Sequence, residues 1–154
     1  MSTDLTNHAD RLNTIHEGTF VEHIGLTMTL ATTERVEAEL TLGPEHTQPY
    51  GLAHGGLYCT IVETLCSVGA AIVAMPNNQA TVGLENSTSF LRGTRAGGRI
   101  RGVAKRLAGG RRTQVWECDI LDDDDRVIAS GRVRMLNIDK GGAVGGKTLE
   151  TKTP

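Results

Sequence analysis

The sequence predicts an α+β domain in which a curled antiparallel sheet wraps one long central helix. Three observations carry this. The run Gly55-Gly-Leu-Tyr-Cys-Thr-Ile-Val-Glu-Thr-Leu-Cys-Ser-Val-Gly-Ala-Ala-Ile-Val-Ala-Met75 is apolar on nearly all sides, and a helix of that kind is a buried one. β-type runs flank it, joined by connections short enough to favour antiparallel neighbours. A single sheet that must cover such a helix has to curl around it.

Residues 1–8 are expected to form a flexible N-terminus. Ala9 to Glu17 reads as a short leading helix ended by Gly18. Ile24 to Ala31 reads as a strand. Arg35 to Leu42 alternates, with Val36, Ala38, Leu40 and Leu42 on one face. Thr32-Thr33-Glu34 between the two runs is short enough for a hairpin. Gly43-Pro44 breaks the pattern, and a polar loop leads to the long helix, which Pro76 ends. Four β-type runs follow, Ala80 to Leu91, Arg99 to Leu107, Thr113 to Leu121 and Val127 to Ile138. Gly97-Gly98, Gly109-Gly110 and the acidic cluster Asp122 to Asp125 supply turns. One domain therefore spans residues 9–138, and residues 139–154, with two Gly-Gly pairs, read as a disordered tail.

The 154 residues suit one domain with a real core. A net charge of −2 without a basic cluster argues against a nucleic-acid partner, and 3% aromatics argue against base-stacking platforms. The first thirteen residues are polar and do not read as a signal peptide. The long helix has the length of a membrane span. Its Gly pair, its central Glu63 and the amphipathic strands around it favour a soluble core helix, with no membrane partner. Cys59, Cys66 and Cys118 have no CxxC or CxxH spacing, which suits reduced thiols in a cytoplasmic protein and no metal site.

Glu63 is the only formally charged residue between Glu45 and Glu85. A lone carboxylate on a buried helix is costly unless it is paired or has a task. The string Gln48-Pro-Tyr-Gly-Leu-Ala-His54-Gly55-Gly56 ends seven residues before it, and Ser67 follows at i+4 on the same face. Gly55 and Gly56 start the helix, so their N–H groups are expected to be free at its positive end.

With Glu63 and Ser67 behind it, this string resembles the hotdog-fold acyl-CoA thioesterases of the PaaI-like branch. That branch holds phenylacetate-pathway, 4-hydroxybenzoyl-CoA and 1,4-dihydroxy-2-naphthoyl-CoA thioesterases. Val82-Gly-Leu-Glu85 and Gly110-Arg-Arg-Thr-Gln-Val-Trp116 look like further pieces of it, and the likeness runs from about Leu12 to Ile138. The resemblance implies an acyl-CoA substrate, with CoA as part of the substrate and no separate cofactor. It also implies a homo-oligomer, expected as a tetramer, with the active site between two subunits. Glu63 would be the nucleophile or the general base, and the Gln48 amide and Gly55 N–H would hold the thioester carbonyl. Ser67 would position the water or the carboxylate. His54 is matched in the family, and its other reading is a helix N-terminal residue that stabilises the loop. Gly56 offers close backbone approach to substrate. Arg92, Gly110, Arg111 and Arg112 stand where the resemblance places CoA contacts.

Thioester hydrolysis needs a base or nucleophile and donors for the oxyanion, and this set contains both. Val68, Val82 and Leu84 could line a compact apolar slot suited to a flat ring, or could be plain core. An aromatic acyl group is the expectation, of 1,4-dihydroxy-2-naphthoyl, hydroxybenzoyl or phenylacetyl type. Phe90 departs from the naphthoyl-CoA enzymes, which tend to have His there. A hotdog dehydratase or hydratase and a non-catalytic acyl-CoA-binding protein are the competing readings.

Overall fold

The structure, a computed structural model, describes residues 6–149. Helices α1 (Ala9–His16) and α2 (Phe20–His23) precede the hairpin of β1 (Thr27–Ala31) and β2 (Arg35–Thr41). Gly18 ends α1 in the left-handed region, with φ 68°. The short α2 takes residues that the sequence leaves unassigned, and β1 starts at Thr27 rather than at the expected Ile24. Residues 1–5 of the expected flexible N-terminus lie outside the described residues. Residues 7 and 8 of that segment are tied down: Asn7 Oδ1 accepts from the Ala31 N–H at 2.9 Å, and the His8 N–H donates to the Ala31 carbonyl at 2.9 Å.

The long helix α3 (Gly55–Ala74) runs the length expected, and a 3-10 turn at Met75–Asn77 closes it where Pro76 stands. Strands β3 (Gln79–Phe90), β4 (Arg99–Gly109), β5 (Thr113–Leu121) and β6 (Val127–Asp139) follow. The six antiparallel strands lie in the order β1-β2-β4-β5-β6-β3. Short connections suggested that β3 would pair with β4, and it does not: β3 pairs with β6 and forms an edge. Residues 91–98 are instead tied to the loop before α3, where the Ala53 N–H donates to the Thr94 carbonyl at 2.7 Å. That tether carries the chain past α3 to the other side of the sheet.

The core lies between α3 and the inner face of the sheet. Val36, Ala38, Leu40 and Leu42 all point into it, as their alternation predicts. Although α3 has the length and hydropathy of a membrane span, its apolar residues are buried within the domain, so it is a core helix. Cys66 and Cys118 fill this core as free thiols. Burial pushes both thiols up, Cys118 to about 12, so neither carries thiolate at neutral pH. The outer face of β2 and β4 carries exposed or half-exposed pairs such as Arg99–Glu39 at 3.3 Å and Arg101–Asp125 at 3.0 Å. Such pairs add solubility more than stability.

Residues 139–149 also differ from the expectation of a disordered tail, whose residues 150–154 lie outside the described residues. A small hairpin, β7 (Ala143–Val144) and β8 (Lys147–Thr148), forms there. Gly145 and Gly146 have φ 57° and 78°, the positive values that a two-residue hairpin turn demands.

Gly69 sets how closely α3 approaches the sheet. A Cβ there would lie 2.4 Å from the Trp116 ring, which is fully buried. The Trp116 indole N–H donates to Gln114 Oε1 at 3.0 Å, while Gln114 Nε2 donates to the Ala70 carbonyl at 3.0 Å. The ring is therefore locked and cannot yield. Gly69→Ala gains up to about 1 kcal/mol of helix propensity but overpacks a rigid contact, at about 1–3 kcal/mol or more. We expect a net loss of stability in urea unfolding; a raised midpoint would contradict the contact.

Candidate active site

A β-bulge decides which residues of β3 face α3. Gly83 pairs with Met135 and Glu85 with Arg134, so Leu84 is left without a partner. An extra residue shifts the alternation by one position. Gly83 faces α3 before the bulge; Asn86, Thr88 and Phe90 face inward after it. A Cβ on Gly83 would lie 2.4 Å from Glu63 Oε1. Asn86 Nδ2 donates to Glu63 Oε2 at 3.0 Å and to the Cys59 carbonyl at 3.1 Å. Thr88 Oγ1 donates to Asn86 Oδ1 at 2.6 Å.

Glu63 is thus half-buried at a sheet edge and hydrogen-bonded, rather than isolated in the core. Ser67 Oγ reaches Glu63 Oε1 at 3.4 Å, a long contact, and also lies 3.9 Å from the Met135 sulfur. The structure brings Ser67 to the carboxylate as the spacing predicts. It does not bring Val68, Val82 or Leu84 there. Val68 belongs to the buried core, Val82 stands next to Gly83 and so on the opposite face of β3, and Leu84 is the half-exposed bulge residue.

At the start of α3, His54 is the N-cap, and its Nδ1 accepts from the Gly56 N–H at 2.9 Å. This is the loop-stabilising reading of His54. It corrects the expectation for Gly56, whose N–H is occupied. Gly55 keeps a free N–H among the described residues, with the Phe90 ring beside it: a Cβ on Gly55 would come within 2.7 Å of that ring. Gln48 sits in a tight turn closed by the Gly51 N–H to Gln48 carbonyl bond at 2.8 Å, with Gly51 at φ 76°. The Tyr50 N–H donates to Gln48 Oε1, which fixes the amide orientation and leaves Nε2 as a donor. His46, which the sequence did not single out, anchors this loop from within. Its Nδ1 accepts from the Gly43 N–H at 2.9 Å, its Nε2 meets the Ile24 carbonyl at 3.0 Å, and its own carbonyl accepts the His54 N–H at 2.8 Å.

The Gly55 and Glu63 backbones are eight residues apart, about 12 Å along the helix axis at 1.5 Å per residue, and the Glu63 carboxylate lies back toward Cys59, whose carbonyl shares the Asn86 amide with it.

Arg111 and Arg112 form the two-residue turn between β4 and β5, closed by the Gly110 N–H to Thr113 carbonyl bond at 2.9 Å. Arg111 and Gly110 line a cavity of about 450 Å³ at the C-terminal end of α3, with Val73, Asn77, Gln79 and Arg106. Arg106 is an addition that the sequence did not suggest. Its guanidinium occupies the space that a Cβ on Gly109 would fill. Arg106 and Arg111 have no carboxylate partner among the described residues, whereas Arg99, Arg101, Arg126 and Arg134 are paired. Arg112 does not line the cavity. Arg92 follows β3 at the opposite end of α3, and that helix is about 30 Å long, so Arg92 does not share the cavity. No group of three or more His, Cys, Asp or Glu among the described residues could hold a metal ion.

The model of the Thioesterase superfamily matches residues 50–129. The proofreading thioesterase EntH of Cronobacter sakazakii is 36% identical over 124 residues, covering 80% of this chain and 89% of that protein. The 1,4-dihydroxy-2-naphthoyl-CoA hydrolase of Escherichia coli is 34% identical over 124 residues, covering 80% and 90%. The solved structure of a thioesterase from Haemophilus influenzae superposes with TM-score 0.82 at 25% identity, covering 90% of this chain and 96% of that one. The chain belongs to the thioesterase superfamily and has the hotdog fold. It is a thioester hydrolase.

Gly83→Ala tests the placement of the carboxylate. The added methyl would displace Glu63, and an error of about 1 Å in such a group can cost about a hundredfold in rate. We expect turnover to fall at least about tenfold in a folded protein. Native turnover would mean that Glu63 does not act from the position described.

Proposed function

We propose that this protein hydrolyses an aromatic acyl-CoA to the free acid and CoA at a site completed by a second copy of the chain. The observation that carries this is that a clamped Glu63 and a free Gly55 N–H stand about two helical turns apart on one rigid helix. In this reading, the Gly55 N–H and Gln48 Nε2 of one subunit hold the thioester oxygen and stabilise the oxyanion. Glu63 of the other subunit acts on the carbonyl carbon. As a general base it takes a proton from water, hydroxide adds to the carbonyl, and the C–S bond breaks to release CoA thiolate. As a nucleophile it displaces CoA directly, forming an anhydride that water then cleaves.

Strand β3 supports the pairing. It is a 12-residue edge strand, and Leu84, Phe90 and Leu91 on or just after it are at least half exposed. A long edge of this kind is an open template for another strand, and a second copy related by a two-fold axis supplies one. A dimer is the minimum and a tetramer the expected assembly. Arg106 and Arg111, which have no ion-pair partner among the described residues, line a cavity together with Asp139 and suit the phosphates of CoA. The buried, unreactive Cys66 and Cys118 suit a cytoplasmic setting.

The acyl preference rests on Phe90 and Tyr58. Of one Trp, two Tyr and two Phe in the chain, these two meet at 6.1 Å between ring centroids beside Gly55. A flat aromatic acyl group next to the carbonyl would pack on the exposed Phe90 ring, which the buried Tyr58 backs. A hydroxylated naphthoyl group is the preferred candidate, in line with the substrate named for the Escherichia coli relative.

Glu63→Gln should lower turnover by at least about a hundredfold, read as thiol release; a near-native rate would overturn the assignment. Benzoyl- or naphthoyl-type CoA esters should show a higher kcat/KM than palmitoyl-CoA. A clear preference for palmitoyl-CoA would refute the aromatic acyl group and leave the hydrolase intact. Neutralising Arg106 or Arg111 should raise KM for an acyl-CoA and spare a truncated thioester lacking the nucleotide. Equal losses on both substrates would assign these arginines to structure.

A further inference from the structure

We propose that Asn86 is the positioning residue for Glu63, fixing one carboxylate oxygen so that the other acts on the substrate. This rests on the reading of Glu63 as the catalytic carboxylate and adds a residue that the thioesterase motif does not contain. The two hydrogens of the Asn86 amide are both committed, to Glu63 Oε2 at 3.0 Å and to the Cys59 carbonyl at 3.1 Å. The Glu63 carboxylate and the Cys59 carbonyl only accept, so the amide nitrogen must face α3, and Thr88 Oγ1 donates to the outward Asn86 Oδ1 at 2.6 Å. Cys59 and Glu63 are one helical turn apart on the same face, so a single amide ties the carboxylate to the backbone of its own helix.

The two oxygens of Glu63 are therefore unequal. Oε2 is held by a donor that has no freedom left. Oε1 has only the 3.4 Å contact from Ser67 and lies against the gap left by Gly83. Oε1 is the oxygen with lone pairs available for water or a thioester carbon. The bulge at Leu84 is what turns Asn86 toward α3. Regular alternation from Gly83 would have presented Glu85 and Ser87 instead. Asn is suited to the task because its amide donates two hydrogen bonds without adding charge beside the carboxylate.

The test compares Asn86→Ala, the near-isosteric Asn86→Asp and Glu63→Gln in the full chain, using benzoyl-CoA and thiol release across pH. Asn86→Ala should lower kcat at least about tenfold with KM within about twofold, because a positioning residue acts on the reacting group and not on binding. Asn86→Asp should move the acid limb of the kcat profile to higher pH, since a second carboxylate beside Glu63 disfavours its charge. Thermal melting checks that each variant is folded, and if Asn86→Ala is not, the Asn86→Asp profile decides. Native kcat and an unmoved acid limb, with Glu63→Gln inactive, would overturn the role of Asn86 alone. A rise in KM at constant kcat would make Asn86 a substrate contact and equally overturn it. A fully active Glu63→Gln would remove the catalytic reading and this proposal with it.

Discussion

An ionisable carboxylate on an otherwise apolar helix needs polar partners and an opening, and much of this structure follows from meeting that need. Glu63 could not sit beneath β5, where Trp116, Cys118 and Ile120 seal the inner face. It lies instead beneath β3, whose inner positions are Gly83, Asn86 and Thr88. One supplies space, one supplies donors, and one bonds the donor's oxygen. A strand built this way makes a poor apolar cover, and it falls at the edge of the sheet, where a second chain can complete what the first leaves open.

The other half of the chemistry is placed at the far end of the same rigid element. His54 caps α3 and consumes the Gly56 N–H, leaving Gly55 as the free donor. His46 and the turn at Gly51 hold Gln48 in the same loop. Gly69 against Trp116 keeps α3 seated at a fixed height. The helix therefore works as a rod with an anion-holding end and a carboxylate two turns further on. Fixing both on one rod sets each with the precision that a catalytic group requires, and in the proposed reading the two serve different substrate molecules.

Much of this was legible in the sequence because it rests on local pattern. The all-apolar run ending at Pro76 gives α3, alternation at Val36 to Leu42 gives β2, and turn residues divide the later strands. Glu63 stood out as an isolated charge, Gly55 as the start of the helix and Ser67 by its i+4 spacing, whereas Gln48 came from the resemblance to the thioesterases. What stayed hidden depends on pairing over long distances. The partnership of β3 with β6 arises from how residues 91–98 are tethered, which no local signal shows. The bulge at Leu84 reverses the alternation within β3, so Val82 and Leu84 looked like pocket residues while Asn86 and Phe90 are the ones that face α3. Arg106 was obscured because Gly109 reads as a turn residue, although its bare Cα also makes room for that guanidinium. His54 had two readings, and the contact from the Gly56 N–H supplies the cap through Nδ1 alone, leaving Nε2 for the other.

The most direct measurement is subunit complementation between Glu63→Gln and Gln48→Ala, each impaired alone, co-expressed in equal amounts with different tags. If carboxylate and carbonyl donor come from different chains, each mixed dimer holds one fully native site. Activity should then recover to about a quarter of the native rate in the unsorted mixture. Mixed dimers no more active than the average of the two parents would place Glu63 and Gln48 in the same site of one chain, and would contradict the shared site.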